Sequence, residues 1–239
     1  VDEAVLHVRG KKGTTVVLTV VRGGDAAKEI SIVRDVIDIP AVEPKTLATP
    51  KGAAVGYLRL AEFSEVAGDQ FHAALQKVID AKTTRIVLDL RDNPGGYLSA
   101  ALRIASEFIG DGVVYIEEDK AGKRTETRAQ GGGIATDPNI RIVVLVNKGS
   151  ASASEILAGA LQDRGRATLV GETTFGKGVV QTFMDLSDGS GLKLTIAKWL
   201  TPDGRWIQSI GLTPDQAVPA APAGSADDPV LDAALSLLE

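Results

Sequence analysis

The chain has 239 residues, 44% of them hydrophobic and 24% charged, with a formal net charge of −5 and no cysteine. That length is enough to bury a substantial core, and the acidic balance with scattered basic residues argues against a nucleic-acid partner. Without cysteine there can be no disulfide, thiolate metal site or cysteine nucleophile, and no apolar run reaches the ~20 residues that a membrane-spanning helix requires.

The chain begins Val1-Asp2-Glu3, without an initiator Met or a signal-type segment, as expected of a processed chain or a fragment. Residues 1–9 read as the end of a helix through Ala4, Val5 and Val8, stopped by Gly10 and the Lys11-Lys12-Gly13 turn. Thr14–Arg22 is β-branched and alternating, and Glu29–Arg34 follows as a second strand after Gly23-Gly24-Asp25. This front unit is too small to bury its own apolar face. Residues 35–54 carry Pro40, Pro44 and Pro50 and read as an extended connection.

Strands and helices alternate from there on. Val55–Leu60 is a strand and Ala67–Ala81 an amphipathic helix. Arg85–Leu90 is almost wholly apolar, as a strand covered on both faces should be. Asp92-Asn93-Pro94-Gly95-Gly96 breaks it before the helix Leu98–Ile109. Val113–Glu118 is a strand, and Ala129–Pro138 a glycine-rich loop. Arg141–Asn147 is a second buried strand, feeding the helix Ala153–Asp163. Strands follow at Ala167–Val170, Gly178–Met184 and Leu192–Leu200, then an Ala/Pro-rich linker over 217–229 and a terminal helix Pro229–Leu238. The alternation predicts an α/β core with much parallel pairing, over residues 55–216.

Two segments carry chemistry. Gly149-Ser150-Ala151-Ser152-Ala153-Ser154-Glu155 places hydroxyls at a strand-to-helix turn, and Phe175-Gly176-Lys177-Gly178 places a lone lysine between glycines. A serine can be activated by a neutral lysine in place of a histidine. Ser152 sits at a helix start, where free N–H groups such as that of Ala153 favour a developing oxyanion. Ser152 and Glu155 equally fit a capping box, in which the serine merely ends the helix. Gly95-Gly96 follows a buried strand at the carboxyl edge of the sheet, where either N–H could be a second oxyanion donor. Gln181, four residues beyond Lys177, would share its face of a strand and could orient the amine. Gly171–Lys177 imitates a phosphate-binding loop, but position 178 is Gly where that loop needs Ser or Thr, and a strand follows in place of a helix. The two histidines, His7 and His72, lie far from these motifs, and no metal-ligand spacing is present.

Taken together, Leu88-Asp89-Leu90-Arg91-Asp92-Asn93-Pro94-Gly95-Gly96, Ser150–Glu155, Gly171–Gln181, Thr201-Pro202-Asp203-Gly204 and Gly211-Leu212-Thr213-Pro214-Asp215 resemble, in order and spacing, the carboxyl-terminal processing serine proteases. The resemblance covers about residues 35–239. It implies a ClpP/crotonase-like protease core with flanking β-strands, Ser152 as nucleophile, Lys177 as general base and Gln181 as its positioner. It gives the oxyanion hole to Gly95 or Gly96 with Ala153, and supporting roles to Asp89, Arg91 and Glu155. It implies no cofactor, protein substrates with unstructured C-terminal tails, and a cell-envelope, periplasmic or secreted location. Residues 1–34 resemble only the closing half of a PDZ domain, so the peptide-binding groove of a complete one is not expected. The orphaned apolar strands of that half would pack elsewhere, a second copy of the chain in a homo-oligomer being one candidate. Two alternatives stay open at this level: a catalytically silent scaffold with Ser152 as a cap, and a crotonase-like acyl-CoA enzyme sharing the Gly-Gly oxyanion device.

Overall fold

The computed structural model describes residues 5, 7–35, 40–222 and 224–239. Its contacts divide the chain into two compact units, Val1–Pro40 and Ala41–Glu239.

In the first unit, β1 (Thr15–Val20) and β2 (Lys28–Val33) pair antiparallel, from Thr15 opposite Val33 to Val20 opposite Lys28. Val5, His7 and Val8 are helical; the rest of the helical stretch expected over 1–9 lies largely outside the described residues. The Arg34 guanidinium ties that turn to the hairpin, donating to the carbonyls of His7 and Val8 and to the Thr14 hydroxyl. No described residue of this unit is buried, as its size dictates.

The second unit is built on a six-stranded sheet in the order β12-β9-β8-β5-β4-β3. Its strands are β3 (Val42–Ala48), β4 (Ala54–Leu60), β5 (Arg85–Asp89), β8 (Arg141–Val146), β9 (Thr168–Gly171) and β12 (Gln216–Ala217). β3 pairs antiparallel with β4, and every other pairing is parallel. The helices are α1 (Ala67–Asp80), α2 (Leu98–Phe108), α3 (Ala153–Asp163) and α4 (Pro229–Leu237). An antiparallel sheet in the order β10-β11-β6-β7 flanks the core, with β6 (Val113–Glu118), β7 (Arg124–Arg128), β10 (Val179–Asp185) and β11 (Gly191–Leu200).

Both faces of the central strands β5 and β8 are covered, which is why they are largely apolar. Ile86, Leu88, Ile142, Val144 and Val146 join Phe71, Ile104 and Leu157 of α1, α2 and α3 in the main core. Val87, Val143 and Leu145 point the other way and meet Val230, Ala234 and Leu238 at the C-terminus. The stretch expected as a connection over 35–54 contains a strand. β3 tolerates Pro44 because it lies at the edge of the sheet, with β4 as its only partner strand among the described residues. β7 and the two-residue β12 were not expected from the sequence, since the wholly polar Arg-Thr-Glu-Thr-Arg of β7 carries no hydrophobic signal.

Candidate active site

The carboxyl ends of β5 and β8 deliver two turns to one place. β5 leads into Asn93-Pro94-Gly95-Gly96, and β8 into Asn147–Ser152. Asn93 is fully buried and ties them together. Its amide donates to the Leu60 carbonyl at 2.7 Å and its Oδ1 accepts from Gly95 N–H at 2.9 Å. Its carbonyl accepts from Ala151 N–H at 3.0 Å and from the Ser154 hydroxyl at 2.9 Å. Ser150 donates to the Leu90 carbonyl at 2.8 Å, and Asn147 and Asp92 exchange two hydrogen bonds of 2.9 Å. Thus Asn93, Asn147 and Ser150 hold the turn. Their side chains read as ordinary loop polarity in the sequence, because their partners lie up to 60 residues away.

Ser152 precedes α3 with φ 57° and ψ −114°. This is a region that L residues rarely occupy, costing on the order of 1–3 kcal/mol, and it is characteristic of a nucleophile held on a sharp strand-to-helix turn. An ordinary helix cap has extended backbone and needs no such strain. The capping-box arrangement is nonetheless present, with the Glu155 carboxylate accepting from Ser152 N–H at 2.8 Å. The residue is a cap by hydrogen bonding and something more by conformation.

Gly95 packs directly against this serine: a Cβ on it would lie 2.8 Å from Ser152 Cβ and 2.9 Å from Ala153 N. Gly96 has φ 145°, and a Cβ there would stand 2.3 Å from the Phe63 carbonyl oxygen. Among the described residues, the N–H groups of Gly96 and Ala153 donate to no protein acceptor. The N–H of Gly95 is taken by Asn93. Of the three backbone donors expected from the sequence, Gly95 is therefore committed elsewhere and serves by its small size. A recess of about 450 Å³, lined by Glu62, Phe63, Ser64 and Tyr97, opens beside Gly95 and Gly96.

Glu155 joins the serine turn to the lysine segment. It is fully buried, and besides Ser152 its carboxylate accepts from the Thr174 hydroxyl at 2.6 Å, Gly176 N–H at 2.7 Å and Lys177 N–H at 2.9 Å. A buried carboxylate survives only when its lone pairs are filled in this way. Lys177 is half-buried, but among the described residues no hydrogen bond links its amine to the Ser152 hydroxyl or to Gln181. β10 starts at Val179, after Lys177, so strand alternation does not set the two side chains on one face. Gln181 is exposed, and its amide lies 3.4 Å from the Thr195 hydroxyl on β11.

Asp89 and Arg91 stand on the α4 side of the sheet. The buried Asp89 accepts from the Tyr57 hydroxyl at 2.6 Å and from the Arg91 guanidinium at 2.6 Å. Arg91 also reaches Asp228, ahead of α4, at 2.8 and 2.9 Å. Burial pushes the Tyr57 hydroxyl well up, reinforced by Asp89. Burial alone would lower the Arg91 pKa, but its two carboxylate partners hold it above its ordinary value. Tyr57, Asp89 and Arg91 line a polar cavity of about 350 Å³ with Lys45, Arg59 and Glu172, at the end of β5, which leads into the Gly95-Gly96 turn.

The sequence profile of peptidase family S41 matches residues 54–218. A carboxyl-terminal-processing protease of Picosynechococcus sp. is 42% identical, the alignment covering 99% of this chain and 58% of that protein. A carboxyl-terminal-processing protease of Synechocystis sp. is 40% identical over 91% of this chain and 50% of the relative. The chain thus spans about half the length of these relatives. Among solved structures, a photosystem II D1 C-terminal processing protease superposes with a TM-score of 0.70 at 36% identity, over 88% of this chain and 57% of that one. By sequence and by fold alike, the chain belongs to peptidase family S41.

Proposed function

We propose that this chain is the catalytic part of a serine endopeptidase that processes proteins near their C-terminal tails. The observation that carries the reading is the strained Ser152, flanked by the uncommitted N–H groups of Gly96 and Ala153 and tied through Glu155 to the Lys177 segment. The Ser152 hydroxyl oxygen attacks the scissile carbonyl carbon and its proton passes to the Lys177 amine. The oxyanion is held by Gly96 and Ala153. As the C–N bond breaks, the lysine returns its proton to the leaving amine, and a water deprotonated by the same lysine then hydrolyses the acyl-enzyme. To orient the lysine amine as the family resemblance implies, Gln181 would turn from Thr195 toward Lys177, and Asp89 and Arg91 brace the oxyanion turn. The names of the relatives support protein C-termini as substrates, and the cell-envelope location is proposed from the family resemblance.

The test is peptidase activity on a tailed protein and a short peptide, with labelling by a serine-directed phosphonate. Ser152→Ala and Lys177→Ala should each abolish turnover while circular dichroism stays unchanged, and Ser152→Ala should abolish labelling. A folded Lys177→Ala variant with substantial turnover would overturn the dyad.

A further inference from the structure

The backbone of Lys177-Gly178 is held almost entirely by side chains. Lys177 N–H donates to Glu155, and the Lys177 carbonyl accepts from the Trp199 indole N–H at 2.8 Å. Gly178 N–H donates to Gln208 Oε1 at 2.9 Å, and the Gly178 carbonyl accepts from the Trp206 indole N–H at 2.8 Å. All four polar groups of the dipeptide are taken by side chains from elsewhere in the sequence. Most protein hydrogen bonds run backbone to backbone, and among the described residues the only such bond here is a second one at the Gly178 carbonyl, from Trp199 N–H at 3.1 Å.

The flanking glycines fit the same scheme. A Cβ on Gly178 would lie 2.8 Å from Gln208 N and 3.0 Å from Trp206 Nε1. Gly176 has φ 86°, and a Cβ there would approach Gly211 N to 2.8 Å and Ile210 N to 2.9 Å. The lysine is therefore pressed on both sides against the segment 206–211, leaving its own side-chain torsions as its remaining freedom. Trp199 is 1% exposed and Trp206 47% exposed, an inner and an outer arm. The outer indole is itself fixed by the Lys198 ammonium, 5.0 Å from its ring centre, which pairs with Glu118 at 2.6 Å. The charged groups bonded to the clamp or stacked on it are thus Glu155, Lys198 and, through Lys198, Glu118.

We propose that Trp199, Trp206 and Gln208 are positioning residues for Lys177, clamping its peptide so that the amine is delivered to the serine turn in one place. The proposal rests on the reading of Lys177 as the general base. A base misplaced by about 1 Å costs on the order of a hundredfold in rate, so such a clamp has a kinetic signature that a merely structural contact lacks.

The experiment uses Trp206→Phe and Gln208→Ala, both at part-exposed positions, in the full chain. Peptide hydrolysis is followed against pH, and the acetylation rate of the Lys177 amine against pH is read by mass spectrometry. The expected result is a roughly ten- to hundredfold fall in kcat with little change in KM. The pH profiles of activity and of Lys177 acetylation should both differ from those of the wild-type chain. The chain contains just two tryptophans, so in Trp206→Phe the blue-shifted emission of the buried Trp199 reports that the fold and inner arm survive. Variants with a lowered melting temperature but unchanged kcat, pH profile and amine reactivity would overturn the clamp while leaving the dyad standing. Turnover in Lys177→Ala, run in the same assay, would instead bring down the dyad reading, and the clamp's catalytic role with it.

Discussion

Ser152 shows how two readings of one residue can both hold. The capping pattern with Glu155 is legible from spacing alone, and the structure makes it. The positive φ of Ser152 is not legible, because the residues that frame its turn, Gly95 against Ser152 and Asn93 bonded to Ala151 and Ser154, come from the other turn. Glycine occupies this region without strain. Ser152→Gly should therefore be inactive yet more stable than the equally inactive Ser152→Ala, by about 1 kcal/mol in urea denaturation; equal stabilities would show that the turn carries no strain. Glu155→Ala should cost roughly 3 kcal/mol or more, since it leaves several donors without an acceptor, including the buried Gly176 N–H and Thr174 hydroxyl. Its activity should vanish along with the order of the lysine segment. Gln181 is the residue for which sequence spacing says least. The parity argument needs a strand that includes Lys177, and β10 begins two residues later. On the proposed role, Gln181→Ala should lower kcat less than either dyad variant does, and unchanged kinetics would remove it from the site.

At the level of elements, legibility followed hydrophobic pattern. β5 and β8 were readable because burial on both faces leaves runs of apolar residues, Ile86–Leu88 and Ile142–Val146. β3 was obscured by its proline and β7 by its polarity, as edge strands paired on one side often are. The Arg91–Asp228 pair, 137 residues apart in sequence, has no local signal at all. It locks α4 to the end of β5, while Asp228 also caps the helix by accepting from Leu231 N–H at 3.1 Å. Burial would raise the Asp228 pKa, but the hydrogen bonds from Arg91 and Leu231 bring it below its ordinary value. A depressed folded-state pKa means the stabilisation is complete above the unfolded carboxylate value of ~3.9 and is lost as pH falls through the folded value. Asp228→Asn keeps a capping group and removes the charge. It should therefore destabilise by about 0.5–1 kcal/mol at pH 7, and the gap to wild type should close as the pH falls below about 4. A gap independent of pH would show that the ion pair contributes nothing.

For the molecule as a whole, the division at Pro40 and Ala41 separates a hairpin with no buried residue among those described from a unit holding the whole core. Residues 41–239 alone should therefore unfold cooperatively at the midpoint of the full chain. A drop of several degrees would show that the front unit contributes to the core's stability. The C-terminal helix has a different standing. Val230, Ala234 and Leu238 cover Val87, Val143 and Leu145, and the carbonyls of Leu237, Leu238 and Glu239 accept from Arg141 and Arg85. During synthesis the sheet can assemble strand by strand from its N-terminal side, but one of its faces stays wet until residue 238 has left the ribosome. A nascent chain stalled at residue 228 should bind hydrophobic dyes, yield readily to added protease and leave the turn after β5 without its Arg91–Asp228 brace. Translation to the end of α4 then becomes the step that closes this face of the sheet and completes the brace on the turn after β5.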